Sequence, residues 1–406
     1  MSDETLKNRV LAVDCLRGVV MMIMLLDHTR DFVHADALRF DPTDLTQTSV
    51  VLFFTRWITH YCAPTFVFLS GVSIYLQKMN GKSNAELSRF LLTRGLWLIF
   101  LEFTVVRTSF VFNLDYHFIG AAQVIWVIGV SMIVLAGLIY LPLRLVGIIG
   151  ILMIVLHNLL DSIRVPPNVA FAGTPPPDIS QTLWLILHQQ GLIPLFGGAS
   201  QVFLAYPLIP WIGVMAVGYV CGSIYSWNSE KRRRWLLVVG GIATVFFVVI
   251  RLINVYGDPS PWSGQPSAIF TFLSFLNTTK YPPSLLFLLM TLGPALIVLG
   301  LTDHIDGKAL SQRIAINFGR VPMFYYLLQF AVAHAFAVLL GFLAGKDVSY
   351  LFLNFPDIFT KAPPGSGFSL WVAYAAWISG LILLYPLCKW WGNLKRRNKS
   401  WVLSYL

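Results

Sequence analysis

The chain has 406 residues, of which 56% are hydrophobic and only 12% are charged, with a mean hydropathy of +0.70. This composition excludes an ordinary soluble globular protein and indicates an integral membrane protein. The formal net charge of +10 comes from cations scattered through short connections, with no surface of alternating basic and aromatic residues. The sequence therefore gives no support for nucleic-acid binding.

Apolar segments long enough to cross a bilayer follow one another along the whole chain. They predict an all-α, polytopic fold of about ten transmembrane helices, near residues 10–28, 50–76, 90–112, 119–140, 143–160, 203–225, 234–254, 284–302, 318–342 and 369–391. The apolar stretch 180–194 is too short and too amphipathic to span comfortably, so we expect a short interfacial or re-entrant helix there. No linker, low-complexity segment or obvious repeat divides the sequence, which indicates one integral membrane domain over residues 1–406.

Lysine and arginine concentrate in alternate connections between these segments. The cationic connections lie at residues 7–9, 78–94, 144, 231–234, 308–320 and 389–399, whereas the loops 29–49, 161–202, 255–283 and 343–368 are longer and poorer in cations. The positive-inside rule then predicts that both termini are cytoplasmic. This basic rim would contact anionic lipid, and it would also attract a polyanionic ligand such as an acyl-CoA.

The first apolar segment, LAVDCLRGVVMMIMLLDH, carries ionisable residues that are costly inside a bilayer. Arg17 and His28 are eleven residues apart, which on a helix is close to a whole number of turns and a rise of roughly 16 Å. Together with Asp14 and Asp31 they form one polar stripe. Such a stripe must face a protein interior or a water-filled cavity, so we expect a buried path through the membrane.

Candidate acid–base residues cluster at the end of this segment, between residues 27 and 36. His28 and His34 are flanked by carboxylates, among them Asp27 and Asp31. A neighbouring carboxylate orients an imidazole and raises its basicity, as deprotonation of a hydroxyl or amine requires. The alternative interpretation is that these residues only cap the helix and solvate the loop that follows.

Further polar residues lie within the second, third and ninth predicted segments, at Arg56, His60, Glu102, Arg107, Gln329 and His334. Some of them must pair with each other, and a pair such as Arg56 with Glu102 would be purely structural. His157, His188 and His304 lie nearer to segment ends or in loops, and the sequence assigns them no role. The four cysteines, at positions 15, 62, 221 and 388, lack CxxC spacing and predict core packing, with neither a disulfide nor a metal site.

The N-terminal VDCLRG, followed by His28 and then FVHA, resembles the DUF1624 family and the larger superfamily of transmembrane acyltransferases that includes heparan-α-glucosaminide N-acetyltransferase. Arg17 and His28 have the R-x10-H spacing of the acyltransferase-3 family, whereas His34 in FVHA resembles the histidine that acts in the heparan enzyme. Downstream, KYPPSLLFLLMTLGPAL and FGRVPMFYYLLQFAVAH resemble bacterial DUF1624 members, so the likeness covers most of the chain.

This resemblance implies that an acyl group, of acetyl or greater length, passes from cytoplasmic acyl-CoA through a buried pore to a sugar or glycan on the far side. It implies Asp14 and Arg17 as cofactor-binding residues, and His28 or His34 as the base with Asp27 or Asp31 holding its ring. A covalent acyl-histidine is a further option. The expected substrate or oxyanion contacts are Arg30, Arg56, His60, Gln329 and His334, and no metal is expected.

Compared with the heparan enzyme, the outer loops are short and the sequence lacks its large luminal N-terminal region. This difference favours a cell-envelope glycan or lipid-linked sugar as acceptor and the bacterial inner (plasma) membrane as location. The competing hypothesis is a secondary transporter or proton-coupled permease, since buried Arg, His and Asp also suit a proton relay. Transport sites usually lie near the membrane midplane, whereas the ionisable residues here concentrate at one mouth. The acceptor, the acyl chain length and homo-oligomer formation are left open by the sequence.

Overall fold

The computed structural model describes residues 10–398 and is mostly helical. The helices of the first half are α1 (Leu11–Val33), α2 (Val50–Thr59), α3 (Cys62–Met79), α4 (Asn84–Leu101), α5 (Arg107–Val111), α6 (Val124–Leu138), α7 (Leu143–Leu156), α8 (Pro167–Ala170) and α9 (Ile179–Leu187). Those of the second half are α10 (Leu208–Cys221), α11 (Ser229–Ile253), α12 (Ala268–Leu276), α13 (Leu285–Leu301), α14 (Leu310–Gly319), α15 (Pro322–Leu343), α16 (Asp357–Thr360) and α17 (Leu370–Arg397). A π-helical turn, Glu102–Val106, joins α4 to α5.

Each of the ten predicted segments contains a helix. Within residues 10–398, five stretches are long and apolar enough to cross a membrane, namely Leu143–Leu160, Leu208–Ser226, Ser229–Ile253, Pro322–Leu343 and Leu370–Arg397. These apolar helices indicate an integral membrane protein. The count of ten spans and the cytoplasmic termini stay predictions, and the cations of residues 7–9 and position 399 lie outside the described residues.

Helix α1 continues five residues beyond the predicted end of the first segment, because its charged residues pair within the helix and with a neighbour. Arg30 lies one turn after Asp27, and the two side chains form an ion pair of 2.9 Å. The helix ends at His34, whose backbone becomes extended and forms a short bridge with Phe368. Residues 27–31 are therefore helical rather than part of an outer loop.

The second predicted segment is broken into α2 and α3 at His60 and Tyr61. Pro64 lies in the first turn of α3, where its missing N–H is tolerated. In a continuous helix its ring would clash with the carbonyl group of His60, so α2 and α3 cannot join as one regular helix. The break places the C-terminal end of α2 beside α1, which positions Arg56 for the contacts described below.

A small sheet departs from the all-α prediction. β1 (Phe118–Ala122) pairs in parallel with β3 (Ser200–Leu204), which pairs antiparallel with β2 (Gly191–Leu195), in the order β1-β3-β2. The predicted segments 119–140 and 180–194 thus each contain a strand as well as a helix. Gly191 and Pro194 disfavour continuation of α9, and the strands satisfy the backbone groups that a helix would otherwise pair.

Helix α1 packs against α3, α14, α15 and α17, so its polar stripe lies inside the protein. Its closest approach is to α14 at Gly18 and Gly319, where a Cβ added to either residue would lie 1.8 Å from a backbone oxygen of the other helix. Small residues let two backbones meet in this way. The four cysteines are free and buried, as predicted.

Candidate functional site

A cavity of about 240 Å³ lies beside the C-terminal end of α1, between α2, the π-helical turn and the sheet. We call it the histidine cavity. Its polar lining includes Asp27, His28, Asp31, Arg56, Lys280 and Tyr281. Four of these, His28, Asp27, Asp31 and Arg56, are residues that the sequence singles out, so the structure brings part of the predicted set together.

Asp27 is the centre of a buried ionic cluster. Arg56 Nη1 donates to both carboxylate oxygens, at 2.8 and 2.7 Å, and Thr59 Oγ1 donates to Oδ1 at 2.8 Å. Arg30 contacts both Asp27 and Asp31. Asp27 therefore binds α2 to α1 through charge-assisted hydrogen bonds, which are the stronger class of hydrogen bond.

These contacts change two interpretations drawn from sequence. Arg56 pairs with Asp27 and not with Glu102, because α2 ends beside the charged turn of α1. The carboxylates expected to hold the His28 ring, Asp27 and Asp31, are engaged by arginine instead. Asp27 and Asp31 place charge near His28, but neither forms a hydrogen bond to its ring among the described contacts.

His28 is half-buried and lines the cavity. Its ring packs against Phe330, with ring centroids 4.0 Å apart. This contact holds the imidazole against α15 while the cavity stays open to it. A histidine placed in this way can exchange a proton with a ligand in the cavity.

His34 lies elsewhere. It is buried at the end of α1, with Nε2 3.9 Å from Asp36 Oδ2, and it does not line the histidine cavity. Burial, together with the charge of Arg30, lowers the pKa of His34, and the Asp36 carboxylate opposes this shift only in part. Of the two candidate histidines, only His28 faces the cavity.

A second cavity, of about 220 Å³, lies along α1 toward its N-terminal end; we call it the arginine cavity. Its lining includes Arg17, Ser70, Ser73 and Arg94. Arg17 donates to Ser73 Oγ at 2.6 Å and to the Gly319 carbonyl at 3.3 Å, and it pairs with Asp14 at 3.2 Å. Arg17 thus joins α1 to α3 and α14 while it borders the cavity.

The two cavities adjoin. Val124, at the start of α6, and Tyr326, on α15, line both of them. These two side chains therefore form a wall that the two cavities share, and a continuous path from Arg17 to His28 stays a prediction.

Four of the predicted substrate or oxyanion contacts are buried and line neither cavity, namely Arg30, His60, Gln329 and His334. The His334 ring is stacked between Phe32 and Phe112, with centroid distances of 4.8 and 3.9 Å. Such packing makes His334 part of an aromatic core.

Two cavity residues do not stand out in the sequence. Lys280 is buried beside Tyr281, with Nζ 5.0 Å from the centre of its ring. Burial alone would raise the pKa of Tyr281, but the charges of Lys280 and Arg56 hold it below its ordinary value. Both residues lie in the segment KYPPS. A Lys-Tyr pair before two prolines is typical of a loop, so this segment does not stand out as part of a site.

Glu102 also lines the histidine cavity, from the π-helical turn. Its Oε2 accepts a hydrogen bond from the Trp126 backbone N–H at 2.8 Å, so it caps the N-terminus of α6. The π-turn aims this side chain at α6, and such turns are frequent at functional sites. Glu102 therefore fixes the wall of the cavity.

A family model described as heparan-alpha-glucosaminide N-acetyltransferase, catalytic, matches residues 9–251, which is more than half of the chain. The matched region contains α1, α2, α3 and the three strands of the sheet. No curated protein matches this chain. On the extent of the family match, the chain belongs to the heparan-alpha-glucosaminide N-acetyltransferase catalytic family, a family of membrane acetyltransferases.

Proposed function

We propose that this protein transfers an acyl group, most simply acetyl, from cytoplasmic acyl-CoA to a sugar or glycan on the opposite side of the membrane. The observation that carries the proposal is the pair of adjoining cavities along α1, one bordered by Arg17 and the other by His28. A transferase acting across a membrane needs one compartment for each substrate and a short passage between them.

The arginine cavity is the donor compartment. Arg17 and Arg94 bring positive charge to its wall, which favours an anionic cofactor, and Ser70 and Ser73 add polar groups beside them. The pantetheine arm is narrow and extended. Passing Val124 and Tyr326, it would carry the thioester into the histidine cavity.

The histidine cavity is the acceptor compartment. His28 takes a proton from the acceptor O–H or N–H while that oxygen or nitrogen attacks the thioester carbonyl carbon. The carbon–sulfur bond then breaks, and the CoA thiolate leaves and takes up a proton. Lys280 or Arg56 stabilises the oxyanion that forms on the carbonyl oxygen.

His34 is the second candidate base, and an acyl-histidine intermediate is the alternative to direct transfer. The lining of the cavity favours His28, because His34 does not border it. Asp27 acts as a positioning residue, since it fixes Arg56 beside the proposed reaction centre.

The acceptor side suits a small polar molecule. Gln190, Tyr206 and Tyr281 add polar groups to a wall that combines the charged residues named above with aromatic side chains. Placed polar groups beside aromatic surface are typical of a site for a small molecule. A cell-envelope glycan or lipid-linked sugar of a bacterial inner membrane is the acceptor class we propose.

The test uses purified protein in detergent, radiolabelled acetyl-CoA, and glucosamine, glucose and an inner-membrane lipid extract as acceptors. We expect labelled product with wild type, a loss of at least about 100-fold in His28→Ala, and normal turnover in His304→Ala, whose histidine is exposed. Acetyl-CoA binding should survive in His28→Ala. Unchanged turnover in His28→Ala would exclude this residue as the base and leave His34→Ala as the decisive variant.

A further inference from the structure

A second group of chemically capable side chains lies at the end of α7, outside the two cavities. His157, Asp161 and His188 each offer one potential ligand atom, and these atoms lie within 4.8 Å of one another. His157 directly follows α7 and begins a 3-10 turn, His157–Leu160, that ends at Asp161. His188 follows α9 and approaches from a separate part of the chain. Acyl transfer uses none of the three.

The two histidines are almost fully buried yet poorly satisfied. His157 is 2% exposed and His188 is 3% exposed. Among residues 10–398, neither ring nitrogen of His157 makes a hydrogen bond of good geometry, although the Pro283 carbonyl lies near the ring, and His188 Nδ1 has no partner. A buried polar atom without a partner costs about 1–3 kcal/mol, so native proteins rarely keep one without a reason.

The spacing of the group suits a metal ion. His188 Nε2 lies 3.0 Å from Asp161 Oδ1, and bonds of about 2.0–2.1 Å to one Zn²⁺ in tetrahedral geometry would place two such ligands about 3.3 Å apart. The ligand atom of His157 lies within 4.8 Å of the other two, so a shift of up to about 1.5 Å would bring it to the tetrahedral spacing.

The surroundings of Asp161 support that role. Its second oxygen accepts a hydrogen bond from Asn158 Nδ2 at 2.8 Å, and Asn158 Oδ1 in turn accepts from the Leu285 N–H at 2.9 Å. Ligating carboxylates are commonly held by outer hydrogen bonds of this kind.

We propose that His157, Asp161 and His188 form a binding site for a divalent transition metal ion, with Zn²⁺ as the ion that fits. Two imidazoles and one carboxylate are donors that Zn²⁺ accepts, whereas Mg²⁺ and Ca²⁺ prefer oxygen alone. Asp161 and His188 border a surface cleft, which leaves a fourth position for water. Gln190 and Tyr281 line both this cleft and the histidine cavity, so the ion would brace the wall between them.

The test is metal binding by the full-length protein, purified without a histidine tag, stripped with a chelator and titrated with Zn²⁺ by calorimetry. Co²⁺, followed by its ligand-field absorption, reports the geometry. We expect about one saturable ion per chain, a higher midpoint of thermal unfolding with Zn²⁺, and binding weakened by at least about 100-fold in His157→Ala and His188→Ala.

Asp161→Asn guards against failure to fold, because the amide keeps a hydrogen-bonding group at the same place, and His304→Ala is the exposed control. We expect Asp161→Asn to bind Zn²⁺ at least about 10-fold more weakly and His304→Ala to bind like wild type. Folded wild type that fails to bind Zn²⁺, or equal binding by Asp161→Asn and wild type, would overturn the proposal.

Discussion

Replacing Asp27 by Asn tests whether this carboxylate is an ionic anchor rather than part of the proton chemistry. Asp27 is 8% exposed and receives hydrogen bonds from Arg56 and Thr59 in addition to its ion pair with Arg30. Asparagine keeps one acceptor oxygen but removes the charge, so both arginines lose their shared counter-ion. Removing one partner of a buried ion pair costs about 3–5 kcal/mol.

For a chain of this length, such a loss corresponds to a fall of about 4–6 °C in the midpoint of thermal unfolding. The assay is thermal unfolding in detergent, with Asp357→Asn as control, because Asp357 makes only an exposed ion pair with Lys361. Exposed pairs contribute about 0–1 kcal/mol. A double-mutant cycle with Arg56→Met isolates the pair, and the double variant should recover part of the lost stability.

The reasoning fails if Asp27→Asn unfolds at the wild-type temperature yet has lost all turnover. That result would give Asp27 a direct part in catalysis. A large loss of stability with turnover reduced only in proportion to the unfolded fraction supports the anchor.

Three further predictions follow from packing, capping and burial. Gly18→Ala should lower the free energy of unfolding by about 1–3 kcal/mol or more, because its Cβ would lie 1.8 Å from a carbonyl oxygen of α14. The control is Gly241→Ala, whose Cβ would meet no described atom within 4 Å and which should be neutral or stabilising in thermal unfolding. Glu102→Leu removes the acceptor for the α6 N-terminus and should lower the free energy of unfolding by about 1–3 kcal/mol, whereas Glu102→Gln keeps an acceptor oxygen and should lower it less. Near-equal losses of unfolding free energy in chemical denaturation would contradict this. Because the pKa of His34 is lowered in the folded state, the neutral form is favoured there, so its contribution to stability is present above about pH 6.5 and is lost as the pH falls through the lowered value. The unfolding midpoint of wild type should therefore fall more steeply than that of His34→Gln as the pH is lowered from about 6.5, and parallel profiles would refute it.

Features that depend on residues close together in the chain were predicted from the sequence. Each apolar window contains a helix, although α12 and most of α14 lie outside these windows, and the spacing of Arg17 and His28 predicted a buried polar stripe, beside which the two cavities lie. The end of α1 was missed because Asp27 is neutralised by Arg56, a partner 29 residues away that no window around α1 contains.

Other features depend on contacts that sequence spacing does not reveal. His28 and His34 look equivalent in the sequence, and only the turn of the chain at the end of α1 places one in the cavity and the other beside Asp36. Lys280 reaches the same cavity from a proline-rich loop over 250 residues later in the chain. Two of the three strands, β1 and β2, lie in stretches that read as apolar helix, and β1 pairs with β3 about 80 residues later in the chain.

The most direct test of the account is binding of acetyl-CoA to the purified protein, measured by calorimetry with CoA as competitor. Ser70 borders the arginine cavity, and within the described part of the chain its hydroxyl donates only to Phe66 O of its own helix, so Ser70→Leu fills the cavity without breaking a hydrogen bond between helices. Ser226→Leu is the matched control, since Ser226 is exposed and also bonds locally, to Ser223 O.

The account predicts saturable binding to wild type, to His28→Ala and to Ser226→Leu, and loss of binding in Ser70→Leu. Absence of binding to folded wild type would contradict an acyl-CoA-dependent transferase and favour a transporter, to be followed by flux assays. Equal binding by Ser70→Leu and wild type would show that the donor enters by another route.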